Sequence, residues 1–169
     1  MKRKLNRGFS LLEMLIYIAI MTLLLVVIAN MLNSMIRSER VADSSKAVEN
    51  AAVFGLDRIV REIRDASLVS ASSTLNTSPG VLNLSGTDTN GVAKSVEFSL
   101  TQGVLHIKEN GVDKGALSES RANIINITFS LINSSSSKSI KTIMTVESGT
   151  STAYRKETFY STTILRGSI

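Results

Sequence analysis

The chain has 169 residues, which is enough for one modest domain, and it has no cysteine, which excludes disulfide bonds, thiolate metal sites and a cysteine nucleophile. Its formal net charge of +5 depends on four basic residues in the first eight positions, and without those positions 15 basic and 14 acidic residues remain, a net charge of +1. The charge of the rest of the chain therefore gives no indication of nucleic-acid binding.

A short basic stretch at residues 1–8 precedes a long apolar segment. Residues 14–36 are 23 consecutive positions without a charge, and a helix needs about 20 such residues to span a membrane. The positive charges before the segment predict a cytoplasmic N-terminus, with the rest of the chain outside. A secretory signal peptide is the alternative, but its apolar region is about 7–15 residues long and a small-residue cleavage site should follow, and neither feature fits.

The helix is predicted to continue beyond the apolar segment. Residues 37–69 contain no proline and one glycine, and apolar residues recur there at helical spacing: Val48, Ala52, Leu56, Ile59, Ile63 and Ala66. Charged residues are predicted to fill the other faces: Arg58, Arg61, Glu62, Arg64 and Asp65. We therefore expect one helix of about 55–60 residues, with a stripe in its second half that packs on the rest of the protein.

A serine-rich loop at residues 70–80 ends the helical pattern, and the apolar period then changes to two. This period predicts strands near residues 81–84, 96–100, 105–108, 123–132, 139–146 and 157–166, with turns at 101–103, 109–115 and 147–153. One face of the strand at 123–132 is predicted to carry Ile125, Ile127, Phe129 and Leu131.

These elements predict an α+β fold, in which one long N-terminal helix, transmembrane in its first half, packs against an antiparallel sheet of about five or six strands. The predicted divisions are a basic leader at residues 1–8, a transmembrane helix half at 9–36, an amphipathic helix half at 37–69 and an antiparallel β head at 70–169.

One carboxylate, Glu13, lies at the start of the apolar segment. A charge inside a membrane helix costs about 2.5–3.5 kcal/mol on insertion scales, so such a residue is functional by default and needs a partner. A cut after Gly8 would free an amine on Phe9, about one helical turn from Glu13. We expect this amine, or the same amine of a neighbouring subunit in an assembly, to pair with the carboxylate, and pairing between subunits would set their stagger.

The stretch RGFSLLEMLIYIAIMTLLL, residues 7–25, resembles the N-terminal signal of type IV prepilins and pseudopilins. That family has a short basic leader that ends in glycine, a Phe or similar residue after the cut, and a Glu as the fifth mature residue. Gly8, Phe9 and Glu13 occupy these positions. The resemblance implies a pilin-like fold, cleavage between Gly8 and Phe9 by a membrane prepilin peptidase, and N-methylation of Phe9.

The resemblance also assigns partners and a location. The leader's basic residues would orient the chain and signal processing: Lys2, Arg3, Lys4 and Arg7. The chain would first lie in the cytoplasmic membrane with its head outside, in contact with the lipid bilayer and an assembly platform. It would then join other pilin-like subunits in an extracellular or periplasmic filament, driven by a separate ATPase.

Two departures from the family pattern indicate a minor subunit. Major pilins commonly carry a helix-kinking proline where this chain has Asn30, and they often have a C-terminal disulfide loop, which a chain without cysteine does not form. Residues 51–67 and 159–167 resemble minor pseudopilins of the J-subunit type and W-type minor pilins. The predicted function is a minor structural subunit of a type IV pilus-like or type II secretion filament; the alternative is a pilus-tip binding module, an adhesin or a DNA-uptake receptor.

The remaining candidate sites favour simpler interpretations. His106 has no catalytic partner in any motif and is interpreted as a surface or sheet-facing residue. Asp88, Asn90 and Gly91 match only part of a calcium loop, so an Asn-Gly turn is preferred. A possible basic patch is interpreted as solvated edge charge: Lys138, Lys141, Arg155 and Lys156. No metal, cofactor or enzymatic activity is predicted, because no nucleophile elbow, metal cluster or paired-acid motif occurs.

Overall fold

The computed structural model of the chain describes residues 10–88, 90–118, 121–134 and 137–166. One helix and eight strands follow each other in the order α1 (Leu11–Asp65), β1 (Ala66–Val69), β2 (Leu82–Thr87), β3 (Ala93–Thr101), β4 (Val104–Glu109), β5 (Val112–Ala116), β6 (Ala122–Asn133), β7 (Lys138–Ser148) and β8 (Arg155–Ile164). A short 3-10 turn at Ser151–Ala153 lies between the last two strands. The α+β class predicted from the sequence is confirmed.

The chain divides into two compact units, Met1–Glu39 and Arg40–Ile169. In the first unit, the described residues 11–39 belong to α1, and all of their side chains are exposed. The 55 residues of α1 agree with the predicted helix length. Because none of these side chains is buried, the described residues of the first unit form no hydrophobic core.

In the second unit, α1 buries one stripe under the sheets. Val48, Ala52, Ile59 and Ile63 are buried as predicted, and Leu56 is partly buried against them. Gly55 lets two strands approach the helix, since a Cβ at this position would lie 3.3 Å from Leu105 of β4 and 3.4 Å from Met144 of β7.

The first five strands form one antiparallel sheet in the order β1-β2-β3-β4-β5. Two hairpins in this sheet are closed by residue pairs that both have positive φ: Gln102 and Gly103 (51° and 79°), and Asn110 and Gly111 (51° and 79°). Positive φ at both central residues defines the type I′ turn, whose twist matches that of paired strands. The predicted turn at 101–103 is confirmed, but the one at 109–115 is only partly right, because β5 begins at Val112.

The last three strands form a second antiparallel sheet in the order β6-β7-β8. The prediction of one sheet of five or six strands was therefore wrong: the described residues form eight strands in two sheets. The sheets meet where the Ile124 N–H of β6 donates to the Gly103 carbonyl at 2.9 Å. The predicted loop at 70–80 is confirmed. It covers another part of the β6 edge, because the Asn76 N–H donates to the Phe129 carbonyl and the Gly80 N–H donates to the Ile127 carbonyl, both at 2.8 Å.

The register of β6 corrects one predicted face. The pairing of β6 with β7 shifts between Ile124 and Asn126, so an extra residue is inserted there. As a result Ile124 is 1% exposed and Ile125 is 37% exposed, whereas Ile127 and Phe129 are fully buried. Strict alternation placed Ile125 on the face of Ile127 and Phe129, and the bulge places Ile124 there instead.

The helix ends four residues earlier than predicted. Ala66–Val69 forms β1 and pairs antiparallel with β2, with Val69 opposite Leu84. Gly86 allows the chain to approach at this point, since a Cβ there would lie 3.1 Å from the Asp65 carbonyl oxygen. Ala66 is still buried, so the stripe continues from helix to strand.

One hydrophobic core joins the second half of α1 with both sheets. Its largest fully buried side chains are Phe98, Phe129, Ile59, Ile63, Leu82, Leu84, Leu105, Ile124, Ile127, Ile140, Met144 and Leu165. All core residues among the described ranges therefore lie in the second unit.

Candidate functional site

The predicted processing residues lie outside the part of the chain that the structure describes. These are Gly8 and Phe9 at the predicted cut and the leader's basic residues, Lys2, Arg3, Lys4 and Arg7. Of the predicted site residues, Glu13 alone lies among the described ones, and it belongs to the first turn of α1.

The position of Glu13 in the first turn stabilises its charge. The first N–H groups of a helix have no partner within it, and the aligned peptide dipoles make this end positive. The first intrahelical bond here runs from the Met14 N–H to the Ser10 carbonyl at 3.2 Å. A carboxylate in this turn therefore gains about 0.3–1 kcal/mol at an exposed site from the helix end.

Glu13 also has a side-chain partner in its own helix. The Tyr17 hydroxyl donates a hydrogen bond to Glu13 Oε1 at 3.2 Å. Residues four apart are neighbours on one face of a helix, so the two side chains meet across one turn. The sequence-based prediction considered only basic partners and did not include Tyr17, although the i, i+4 spacing would have indicated it.

The surroundings of Glu13 and Tyr17 are apolar and exposed. Every large apolar side chain from Leu11 to Ile36 is exposed, between 47% and 90%. This part of α1 is long and apolar enough to cross a membrane. Thr22, near the middle of this segment, has its hydroxyl satisfied within the helix, because Oγ1 donates to the Ala19 carbonyl at 2.8 Å. A continuous apolar surface of this size is not stable in water, and it requires lipid or neighbouring helices.

A second group of charges lies in the head. Glu62 is 6% exposed, and its carboxylate contacts Arg58 Nη2 at 2.8 Å and Lys94 Nζ at 2.9 Å. Arg58 also reaches Glu109 Oε1 of β4 at 2.7 Å. The sequence predicted Glu62 on a face other than the packed stripe, and the structure shows that this face is also covered at Glu62, by strands β3 and β4. The cluster ties α1 to the first sheet and serves the fold.

His106 has a titratable neighbour that the sequence motifs did not indicate. Its Nδ1 lies 3.3 Å from Asp113 Oδ2 on the adjacent strand β5. The pKa of Asp113 is lowered, chiefly by the hydrogen bond from the Gly115 N–H; partial desolvation opposes this shift, and the hydrogen bond and charge of His106 and the charge of Lys108 add to it. His106 is 29% exposed and Asp113 is 51% exposed. The pair faces solvent on a sheet-edge hairpin, which agrees with a sheet-facing histidine.

The partial calcium loop is a turn. Asp88 Oδ1 accepts the backbone N–H groups of Asn90 at 2.8 Å and Val92 at 2.9 Å, and Gly91 has a φ of 78°. The carboxylate therefore closes the connection between β2 and β3. Within the described ranges, no group of three or more His, Cys, Asp or Glu side chains is placed to hold a metal ion.

The four residues of the possible basic patch are not brought together. Lys138 and Lys141 lie near the start of the central strand β7, whereas Arg155 and Lys156 begin the edge strand β8 and pair with Ser148 and Glu147 at the far end of β7. Six residues of extended chain separate Lys141 from Glu147, about 20 Å. The edge interpretation therefore holds for Arg155 and Lys156 and was wrong for the two lysines on β7.

An open groove beside the end of α1 carries both signs of charge. It is lined by the carboxylates of Asp65 and Asp88 and the cations of Lys94 and Arg166, together with small polar residues. Because the charges balance, the groove does not favour a polyanion such as a nucleic-acid backbone. The N-terminal segment around Glu13 is therefore the stronger candidate.

A comparison with protein families gives a match at this segment. Residues 3–29 match the family model described as the prokaryotic N-terminal methylation motif. No curated protein and no solved structure matches the chain. The likeness to J-type pseudopilins and W-type minor pilins consequently stays a prediction. The methylation motif at residues 3–29, followed by one long apolar helix and an antiparallel β head, supports the predicted resemblance to type IV pilins and pseudopilins.

Proposed function

We propose that this pilin-like protein is a minor structural subunit of a type IV pilus-like or type II secretion filament. Prepilin peptidase would cut it between Gly8 and Phe9 and N-methylate Phe9. Residues 9–36 would anchor it in the cytoplasmic membrane with the head outside, and the same residues would later pack on neighbouring subunits in the filament.

The observation that carries this proposal is the contrast within α1. Its residues 11–39 are exposed throughout, while the core of the protein is complete without them. An apolar helix that its own chain leaves uncovered requires other helices or lipid, and a filament built from parallel N-terminal helices supplies both in succession. The methylation motif at residues 3–29 supports the same interpretation.

Glu13 is the proposed assembly residue. Its carboxylate is the one charge in the described apolar segment, and an amine of a neighbouring subunit at the same depth would complete a charged pair in a low-dielectric setting. A pair of this kind fixes the stagger between subunits, because a shift of one helical turn would leave both charges without a partner in the bilayer.

The minor role rests on what the chain lacks relative to common major pilins. It has no cysteine, and α1 contains no proline, with Asn30 at the position where many major pilins have one. These differences favour a subunit present in few copies over the main building block of the filament.

Processing is tested first. Intact mass and N-terminal sequencing of the chain recovered from a membrane that contains prepilin peptidase should give N-methyl-Phe9 as the first residue. A chain that still starts at Met1 would remove the amine from the proposed pair, and a cut beyond Ala29 would contradict membrane anchoring altogether.

Assembly is tested by substitution of the carboxylate. We expect Glu13→Ala to leave insertion and cleavage intact and to reduce incorporation into filaments, measured as the sheared filament fraction relative to the membrane pool. Glu39→Ala is the matched control, because Glu39 is an exposed glutamate of the same helix outside the apolar segment. Normal incorporation of Glu13→Ala would contradict the role proposed for this residue.

The alternative, a pilus-tip DNA receptor, is tested with the head. A head fragment from Arg40 should bind DNA weakly or not at all, because its basic residues are dispersed and its groove is neutral overall. Titration at low and moderate salt decides the matter, since phosphate contacts give a steep salt dependence. Tight, salt-sensitive binding would favour the receptor over the purely structural role.

A further inference from the structure

We propose that Tyr17 is a positioning residue for assembly: its hydroxyl holds the Glu13 carboxylate while the subunit is alone in the membrane. This inference rests on the proposed function, since it takes Glu13 to be the assembly residue. It concerns the interval between insertion and assembly, when no neighbouring subunit is present to supply a cation.

The need for such a partner follows from the surroundings of Glu13. The segment that follows it consists of apolar side chains that contact lipid when the chain is unassembled. A carboxylate in that setting is unfavourable unless donors satisfy its oxygens. The positive end of α1 supplies part of the compensation, but dipole attraction is not a directed hydrogen bond and does not select one rotamer.

The geometry shows how Tyr17 fills this role. Its hydroxyl reaches Glu13 Oε1 at 3.2 Å across one helical turn. Tyrosine presents an apolar ring to lipid and a polar tip that can act as a donor, so it brings a hydroxyl to the carboxylate without adding a second charge. Thr22, the next hydroxyl along the segment, donates to its own helix backbone and does not share this function.

A neutral donor also suits exchange at the moment of assembly. A hydrogen bond from a hydroxyl to a carboxylate is weaker than a pair of opposite charges at the same distance. The amine of a neighbouring subunit can therefore displace the tyrosine hydroxyl or bind the second carboxylate oxygen. The carboxylate is meanwhile kept against the face of α1 that carries Tyr17, which restricts the directions from which that amine can approach.

The direct test is a spectroscopic one on the unassembled full chain. The protein is labelled with ¹³C at its glutamate carboxyl groups and reconstituted at low density in phosphatidylcholine vesicles, whose lipids carry no carboxyl group. Subtraction of the infrared spectrum of Glu13→Gln isolates the Glu13 carboxyl band. We expect Tyr17→Phe, which keeps the ring and removes the hydroxyl, to shift this band.

Thr22→Val is the matched control, because it also removes one hydroxyl from the apolar segment but none that contacts Glu13. We expect this variant to leave the Glu13 band unchanged. An unshifted band in Tyr17→Phe, or an equal shift in both variants, would overturn the proposal.

The second measurement is incorporation into filaments. Loss of one hydrogen bond to a charged group corresponds to about a tenfold or larger change in an equilibrium, so we expect Tyr17→Phe to lower incorporation about tenfold and Thr22→Val to leave it unchanged. Ile18→Tyr added to Tyr17→Phe restores one tyrosine hydroxyl but places it about 100° further around the helix, and it should not rescue incorporation. Rescue by this variant would mean that the presence of a tyrosine, not its position, matters, and would contradict the proposal.

Glu13→Ala in the same assay separates the two levels of inference. Impaired Glu13→Ala together with normal Tyr17→Phe would overturn the positioning role and leave the proposed function intact. Normal incorporation of Glu13→Ala would overturn the assembly role proposed for Glu13, and with it the positioning role of Tyr17, whatever the infrared band shows.

Discussion

The two ends of α1 are built from the same secondary structure and are used in opposite ways. From Leu11 to Ile36 the large apolar side chains lie all around the helix and are exposed. From Ser44 to Ile63 the buried residues recur at helical spacing, and charged or other polar residues occupy most of the remaining positions. A helix that is apolar on every side needs an apolar solvent, whereas a helix with one apolar stripe needs a protein surface. One continuous element thus changes its partner from lipid or other subunits to its own sheets.

The largest expected effect of the difference between the two ends of α1 is seen when the exposed N-terminal end is deleted. Deletion of residues 1–39 should leave a folded, water-soluble head, because the described part of that segment contributes no side chain to the core. The full chain should require detergent or lipid. Far-ultraviolet circular dichroism and sedimentation of both proteins check this, and a head that unfolds or aggregates would show that the first unit supports the fold.

The same substitution at one isoleucine in each end of α1 compares the contributions of the two ends to stability. Ile59→Ala should reduce the free energy of unfolding of the head by about 2–5 kcal/mol, because Ile59 is fully buried and its truncation leaves a cavity. Ile28→Ala should leave that free energy unchanged, because Ile28 is 52% exposed and belongs to the first unit. Urea unfolding of the full chain in detergent, followed by pulse proteolysis of the head, measures both. Equal losses of unfolding free energy in the two variants would contradict the conclusion that only the second end of α1 packs in the core.

Two ion-paired carboxylates in the second half of α1, Glu62 and Asp57, test the burial of its charged residues. Glu62→Gln should cost about 1–3 kcal/mol of unfolding free energy, because Arg58 and Lys94 lose a charged acceptor inside the packed head. Asp57→Asn breaks an i, i+4 pair with Arg61 in which both side chains are exposed, and it should cost less than about 1 kcal/mol. Unfolding at low and high salt distinguishes them, since added salt should weaken the exposed pair more. A larger effect of Asp57→Asn would contradict the burial of Glu62.

The smallest expected effect concerns pH and the edge hairpin of the first sheet. The pKa of Asp113 is lowered below its ordinary value of 3.8 by the Gly115 N–H, with a further contribution from His106. A carboxylate whose pKa is lowered in the folded state stabilises that state above its unfolded pKa, and this stabilisation is lost as the pH falls through the lowered value. The wild-type chain should therefore melt slightly above Asp113→Asn near neutral pH, and the difference should shrink below about pH 4. A difference that grows on acidification would contradict the sign of the shift.

Features that depend on neighbours along the chain could be predicted before the structure was known. The uncharged segment at 14–36, the stripe through Val48, Ile59 and Ile63, and the alternation of Val96 with Phe98 follow from the helical and extended periods. The predicted importance of Glu13 also depends on local context, since one carboxylate in an apolar run is conspicuous whatever the rest of the chain does.

Features that depend on contacts between residues distant in sequence became apparent only from the tertiary structure. Pairing with β2 converts Ala66–Val69 from a possible last helical turn into a strand, and a bulge against β7 exchanges Ile125 for Ile124 in the core. Glu62 is buried because β3 and β4 cover it, and Asp113 reaches His106 because β5 pairs with β4. The division into two sheets has the same cause. Local periodicity specifies which face of an element is apolar, but the choice and register of its partner come from contacts that the chain forms only when it folds.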